Sequence, residues 1–232
     1  MSRLAARATG PEQMDADDLD PAVYARVLND LSQVNSVTMG RRPTLAFLKR
    51  ALAGQTRFRL LDIGFGQGDM LRSIARWAER KGIAADLVGI DLNPNSAPTA
   101  RAATPPGLAI DYRTGDYADL AGEGFDLIVS SLVAHHMSAA ELIAYLRFSE
   151  AEARIGWLVS DLHRHGFAYA GFPLLARVMR WHRIVREDGT LSIARSFRPA
   201  EWRAILDEAG ISAEAARIVR RFPFRLCVER IR

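Results

Sequence analysis

The residues whose types and spacing suit ligand chemistry begin with three glycines and a later aspartate. Gly64, Gly66 and Gly68 follow the apolar run 58–63, and glycine lets a backbone turn sharply and approach a ligand closely. Asp91 ends the next apolar run, about 20 residues further on, where an acid in nucleotide-binding α/β folds accepts hydrogen bonds from ribose hydroxyls. The pattern predicts a strand, a ligand-binding turn and a helix.

The spacing of the glycines distinguishes two kinds of nucleotide turn. A G-x-G-x-x-G dinucleotide fingerprint needs its third glycine at position 69, which is Asp69 here. The chain has G-x-G-x-G instead, with Asp62 shortly before the first glycine. This sequence pattern resembles motif I of the class I S-adenosylmethionine (SAM) methyltransferases.

Later segments resemble the same family in the expected order. Residues 109–117 read as a third strand, and Asp116 resembles the family's adenine-binding acid, which faces the exocyclic amine. Residues 124–131 resemble its fourth strand, preceded by a G-x-F-D turn. The resemblance implies that SAM is the cofactor and that it is bound by Asp62, Gly64, Gly66, Gly68, Asp91, Leu92, Asp116, Tyr117 and Ser131.

Each acid also has a structural interpretation. Carboxylates after strands often cap the next helix, and Asp91 could be part of a turn. Asp62, at a strand end, could hold a backbone amide or, through water, the ammonium group of the ligand. The joint spacing of Asp91 and Asp116 behind the glycine turn favours the ligand role.

Strand and helix patterns alternate after the glycine turn, which predicts parallel strands joined by right-handed crossovers. Two final strands around Pro223 match the family's antiparallel pair. We therefore predict an α/β fold, a Rossmann-like doubly wound seven-stranded mixed sheet with an antiparallel last strand, preceded by N-terminal cap helices.

The predicted organisation has two parts. Residues 1–54 form an N-terminal acidic segment and cap helices, and residues 55–232 form the SAM-binding domain, with a lid-like insertion at 162–196. The first 20 residues are expected to run loosely before Asp20 caps a helix that has Pro21 in its first turn. The acids of this segment are Glu12, Asp15, Asp17, Asp18 and Asp20.

The methyl acceptor is expected outside the carboxyl ends of strands four and five. The residues there are Ser130, Ser131, His135, His136, Asp161, His163 and Arg164. A base is needed only if the acceptor carries a proton when it attacks, and histidine, with a pKa of ~6.5, suits that task. His136 and His163 are the catalytic candidates, although a helix-entry or hydrogen-bonding role is an alternative for the His135–His136 pair.

The histidines also permit a metal site, in which His135–His136 and His163-x-His165 are ligands beside Asp161. The metal-dependent catechol-type methyltransferases place an acid after strand four, where this chain has Ser130 and Ser131. We therefore predict no metal. The N/D-P-P-aromatic motif of DNA and RNA amino-methyltransferases is also absent at that point.

Composition agrees with one α/β domain that acts in the cytoplasm. Of 232 residues 49% are hydrophobic, Cys227 is the only cysteine, and the net charge of +4 comes from arginines spread along the chain. No run approaches the ~18 apolar residues of a membrane span, and the N-terminus does not read as a signal peptide. We expect a small-molecule acceptor and neither nucleic acid nor membrane as a partner.

These observations predict a SAM-dependent methyltransferase. The acidic opening segment and residues 160–165 resemble bacterial small-molecule methyltransferases of specialised metabolism. That resemblance suggests methyl transfer to a hydroxyl of a phenolic or polyketide-like compound. The alternatives are a non-catalytic SAM-binding accessory or regulatory protein and a nicotinamide-dependent oxidoreductase.

Overall fold

One seven-stranded sheet carries the glycine turn. A computed structural model of the chain describes residues 4–16 and 18–232. The strands are β1 Arg57–Ile63, β2 Ala84–Asp91, β3 Asp111–Thr114, β4 Phe125–Ser131, β5 Ala153–Leu162, β6 Arg217–Arg221 and β7 Arg225–Ile231. Their order is β3-β2-β1-β4-β5-β7-β6. Strands β1 to β5 pair in parallel, whereas β7 is antiparallel to both β5 and β6. The predicted mixed sheet is confirmed.

Helices cover both faces of this sheet, as the buried apolar runs of its central strands require. Strand β4 is buried along six of its seven residues. The helices are α1 Pro21–Val37, α2 Arg42–Ala51, α3 Asp69–Lys81, α4 Ser96–Ala103, α5 Ala139–Glu152, α6 Gly166–Val178, α7 Arg183–Arg195 and α8 Pro199–Glu208. Among the described residues, none of these helices combines the length and apolarity needed to cross a membrane.

Local chemistry sets the helix starts. The Asp20 carboxylate accepts hydrogen bonds from the amides of Ala22 and Val23, which confirms the predicted cap of α1. Ser138 and Glu141 form a reciprocal capping box at the start of α5. Strands β1 and β4 are neighbours, so the chain order reverses between them, and the crevice at their carboxyl ends is where such sheets bind ligands.

The N-terminal segment does not run loosely, contrary to the expectation from its composition. Leu4 and Glu12 are buried, and the amides of Gln13 and Met14 each donate a 3.0 Å hydrogen bond to the Asp188 carboxylate of α7. Glu12 and Asp15 face cationic and hydroxyl partners on the body of the protein, which offsets the cost of burying them. Asp17 lies outside the described residues.

The insertion after β5 consists mainly of α6 and α7. These two helices share a hydrophobic cluster with α1, formed by Val27, Val34, Ala176, Trp181, Ile184 and Val185. The cluster joins the insertion to the N-terminal helices, so that both lie over the carboxyl ends of β1, β4 and β5.

Candidate active site

The glycine turn between β1 and α3 has a left-handed backbone at all three glycines. Their φ angles are 74° at Gly64, 55° at Gly66 and 76° at Gly68, in the region that favours glycine. A Cβ atom on Gly64 would lie 2.4 Å from Val133 Cγ2, and one on Gly68 would lie 2.4 Å from the Tyr112 hydroxyl. The motif therefore needs glycine both for its backbone conformation and for close packing.

Substituting Gly64 with alanine tests this requirement. A left-handed residue with a Cβ costs roughly 1–2 kcal/mol, and the clash with Val133 adds to it. Gly82→Ala is the matched control, because Gly82 has a φ of 66° and no atom within 4 Å of the added Cβ. We expect Gly64→Ala to lower the thermal unfolding midpoint more than Gly82→Ala does, and only Gly64→Ala to weaken SAM binding. Equal losses in both variants would show that backbone strain alone matters.

Asp91 lies at the end of β2 and faces this turn. Its carboxylate accepts 2.9 Å hydrogen bonds from the amides of Gly66 and Asn93. Burial raises its pKa, against the opposing effect of these hydrogen bonds. Asp91 and the exposed Leu92 line a cavity together with the glycine turn, so the predicted ribose-binding acid stands where the sequence placed it.

Asp62 is buried at the end of β1 and faces the same cavity. Its side chain is 2% exposed, and Oδ2 has no hydrogen-bond partner among the described residues. Burial raises the pKa of this carboxyl well above its usual value, and the charges of Asp69 and Asp91 add to the effect. An orphaned buried acceptor costs stability, and a ligand ammonium group would satisfy it.

The remaining predicted cofactor residues lie beside this cavity. Tyr117 and Ser131 line it, and the Tyr117 ring packs edge-on against Tyr145. The exposed Asp116 accepts a hydrogen bond from the Ala118 amide at 2.9 Å and is not among the described residues that line the cavity, although its neighbours Gly115 and Tyr117 are. Its assignment to the adenine amine remains a prediction.

A cluster of five ionisable residues lies beside the same cavity, and we call it the histidine–carboxylate cluster. Its members are Glu12, Asp15, His135, His136 and Asp161. His135 Nδ1 lies 2.7 Å from Asp161 Oδ1, and His136 Nδ1 lies 2.9 Å from Asp15 Oδ2. The Nε2 atoms of the two rings lie 3.7 and 3.8 Å from the Glu12 carboxylate. All five side chains thus form one connected polar group.

Burial and mutual charge shift the pKa values in this cluster. Burial raises the pKa of Glu12 despite the opposing charges of His135 and His136. Burial also acts to raise the pKa of Asp161, but the charge and hydrogen bond of His135 outweigh it and lower that pKa. For His136 burial acts to lower the pKa, and the hydrogen bond to Asp15 with the charge of Glu12 raises it instead.

Two arginines fix the position of the cluster. Arg195 of α7 donates hydrogen bonds of 3.1 Å to the carbonyls of His135 and His136, and Arg7 donates to the His135 carbonyl at 2.7 Å. Glu12 accepts a 3.0 Å hydrogen bond from the Ser192 hydroxyl. The N-terminal segment, the turn after β4 and helix α7 are therefore held together at the site.

The second catalytic candidate, His163, does not join this cluster. It is not among the described residues that line the cavity, and its ring packs against His165. Burial lowers its pKa, as do the charges of Arg220, His165, Arg198 and Arg164. Because His163 follows the last residue of β5, its direction does not follow from strand alternation. Its catalytic role remains a prediction, which its position outside the cavity does not support.

Other residues expected on the acceptor side have structural partners. Arg164 is buried and donates hydrogen bonds to the Ser196 carbonyl at 3.0 Å and to the Glu201 carboxylate at 2.5 Å. Ser130 accepts a 3.0 Å hydrogen bond from the Tyr145 hydroxyl. Of the residues proposed after strands four and five, Ser131, His135 and His136 line the cavity, and Asp161 supports His135 from behind.

One cavity of about 810 Å³ joins the glycine turn to the histidine–carboxylate cluster. Its volume is within the usual range of ligand sites. Leu31 of α1, Phe172 and Leu175 of α6, and Phe224 before β7 supply an apolar wall. The arrangement can hold a nucleoside-type ligand at one end and a small apolar molecule with a polar group at the other.

Sequence reasoning missed Glu12 and Asp15 as site residues. They are separated from His135 and His136 by more than half of the chain. Their neighbours in the sequence are acidic and polar, which is typical of a solvated tail. The one available signal was the apolar residue Met14 between them, which lines the cavity.

Comparison with known families agrees with this geometry. Residues 60–154 match the family model described as a methyltransferase domain. No curated protein matches the sequence.

Several solved structures share the fold. Magnesium protoporphyrin IX methyltransferase from Synechocystis PCC 6803 with bound SAH is 17% identical, with 95% of this chain and 91% of that chain covered and a TM-score of 0.55. Human N-acetylserotonin methyltransferase in complex with SAM is 15% identical, with coverages of 92% and 56% and a TM-score of 0.64. A SAM-dependent methyltransferase from Aquifex aeolicus is 16% identical, with coverages of 92% and 99% and a TM-score of 0.61.

Proposed function

We propose that this chain, in which residues 60–154 match a methyltransferase-domain model, is a SAM-dependent methyltransferase that methylates a hydroxyl of a small, largely apolar acceptor, of phenolic or polyketide-like type. The observation that carries the proposal is the shared cavity, which is lined both by the glycine turn and by Glu12, Asp15, His135 and His136 of the histidine–carboxylate cluster. A hydroxyl acceptor must lose its proton, and this cluster is the group of titratable side chains placed to receive the hydroxyl.

The residues around the turn fit the cofactor. Asp91 has carboxylate lone pairs left for the ribose diol beyond its two amide partners, and the orphaned oxygen of Asp62 suits an ammonium group. When bound, SAM supplies a methyl group on a sulfonium sulfur: the S–CH₃ bond breaks as an O–CH₃ bond forms, S-adenosylhomocysteine remains, and the hydroxyl proton is released. The protein's own task is to position the two reactants, which accounts for up to ~7–11 kcal/mol in favourable cases.

The cavity wall supports a small apolar acceptor. Phe172, Leu175 and Phe224 offer aromatic and aliphatic surface, and the cluster offers a few convergent polar groups, which together are typical of small-molecule sites. Helices α6 and α7 lie over the cavity with α1. We propose that the 162–196 insertion and the N-terminal helices act as a lid that excludes water during methyl transfer.

The two alternatives drawn from the sequence, a nicotinamide-dependent oxidoreductase and a non-catalytic SAM-binding protein, account for fewer of these observations. The family match is to methyltransferases and not to nicotinamide-dependent oxidoreductases. A non-catalytic SAM-binding protein would not require a buried histidine–carboxylate cluster beside the cofactor cavity.

A labelled-methyl assay tests the proposal. The full chain is incubated with methyl-labelled SAM and a panel of phenols, each paired with the aniline of the same ring and with its methyl ether. We expect label on the oxygen of one or more phenols and none on the paired aniline or ether. Label that appears on nitrogen or carbon alone would overturn the choice of a hydroxyl acceptor.

A further inference from the structure

Two histidine rings in the histidine–carboxylate cluster have their tautomers fixed by carboxylates. His135 Nδ1 lies 2.7 Å from Asp161, and His136 Nδ1 lies 2.9 Å from Asp15. A carboxylate accepts hydrogen bonds, so each Nδ1 must be the donor. In the neutral rings both Nε2 atoms are then unprotonated, and each carries a free lone pair.

The two free lone pairs converge on a third acceptor. The Glu12 carboxylate is 2% exposed and lies 3.7 Å from His135 Nε2 and 3.8 Å from His136 Nε2. These distances exceed hydrogen-bond length, so a proton on either nitrogen would not bridge the gap. Three buried groups that face one another with free electron pairs would be stabilised by a cation between them.

The spacing suits a metal ion. The ligand atoms of Glu12, His135 and His136 all lie within 4.8 Å of one another. Ligands held at ~2.1 Å from a tetrahedral zinc ion are about 3.4 Å apart, and His136 Nε2 lies 3.8 Å from Glu12 Oε2, so that gap closes with a small movement. Carboxylates that hold the second ring nitrogen are the usual support of metal-binding histidines.

We infer that Glu12, His135 and His136 bind a divalent transition-metal cation, with Asp161 and Asp15 as the carboxylates that orient the two rings. Two histidines and one carboxylate would leave further coordination positions open, and all three residues line the cavity. Arg195 lies 3.6 Å from Glu12 Oε1, and Ser192 donates a hydrogen bond to the same oxygen. Glu12 Oε2, on the side of His136, is therefore the oxygen for the cation.

The catalytic role of the cation rests on the proposed function. An acceptor hydroxyl bound at an open position would have its pKa lowered by the charge of the metal. The proton would leave to water, and the oxygen would attack the methyl group as an alkoxide or phenolate. His163-x-His165, grouped with these residues from the sequence, takes no part, because its rings contact each other and Phe224 instead.

Binding is measured on the purified full chain after treatment with a chelator. Zn²⁺ is titrated by calorimetry, and Co²⁺ is followed by its visible absorption, which reports nitrogen ligation. We expect one cation per chain, and no comparable binding of Mg²⁺, which prefers oxygen ligands. Asp15→Asn should weaken Zn²⁺ binding by about 10–100-fold, whereas Glu12→Gln and His136→Gln should remove the Co²⁺ signal.

The control variant is His163→Gln, a histidine outside the cavity, which should bind Zn²⁺ like the unaltered chain. Circular dichroism confirms that each variant is folded. Absence of Zn²⁺ and Co²⁺ binding, or undiminished binding in folded His136→Gln, would overturn the metal site. Methyl transfer at an undiminished rate by cation-free, chelator-treated protein would overturn the catalytic role of the cation while leaving the proposed function intact. Cation binding without any transfer to hydroxyls would instead contradict the proposed function alone.

Discussion

Replacing His136 by alanine is expected to lower the rate of methyl transfer to a phenol by about 10²–10⁴-fold, the range typical of losing a group that assists proton removal. The ring lies beside the Glu12 carboxylate, is hydrogen-bonded to Asp15 and lines the cavity. SAM affinity should stay nearly the same, since the glycine turn and Asp91 are untouched. Steady-state rates and calorimetric titration of SAM measure the two effects separately.

His163→Ala is the matched control for this experiment. It removes the same side chain type from the segment after β5, but His163 does not line the cavity. We expect its turnover to remain close to that of the unaltered enzyme. A His136→Ala enzyme that keeps full turnover would show that acceptors reach the site already deprotonated, and that positioning alone accounts for the catalysis.

Asp91→Ala should weaken SAM binding by roughly 10- to 150-fold, because a hydrogen bond to a charged group contributes ~1.5–3 kcal/mol. The carboxylate also holds the amides of Gly66 and Asn93, so its removal loosens the turn that must contact the ligand. Calorimetry with SAM and with S-adenosylhomocysteine gives the dissociation constants.

Asp86→Ala serves as the comparison, because Asp86 lies on the same strand and its partner Arg59 is at the opposite end of the sheet from the cavity. Its 65% exposed side chain contributes little to stability. Undiminished SAM affinity in a folded Asp91→Ala protein would remove Asp91 from the cofactor site.

The cofactor half of the site could be predicted because its determinants are local. Gly64 to Asp69 specify the turn and the start of α3 within a few residues, and the buried runs of β1 and β2 place Asp62 and Asp91 at strand ends. In a parallel sheet these ends lie at one edge. The seven-stranded mixed sheet and its antiparallel last strand followed from the resemblance to the family.

The acceptor half could not be predicted in the same way. Glu12 reaches His135 only because Gln13 and Met14 bind Asp188 of α7, a pairing that no local pattern encodes. His136 and His163 both follow strands, yet side-chain direction beyond a strand end depends on the turn. The 3₁₀ turn Ala134–His136 directs both histidines towards Glu12, while His163 faces a group of arginines.

A crystal structure of the protein with S-adenosylhomocysteine tests the central claim most directly, since it shows where the sulfur lies relative to the histidine–carboxylate cluster. We predict that the ribose hydroxyls bind Asp91, that the ammonium group lies near Asp62, and that the open side of the sulfur faces Glu12, His135 and His136 across the cavity. A sulfur that faces away from this cluster, with protein atoms filling the space between them, would contradict methyl transfer to an acceptor bound there.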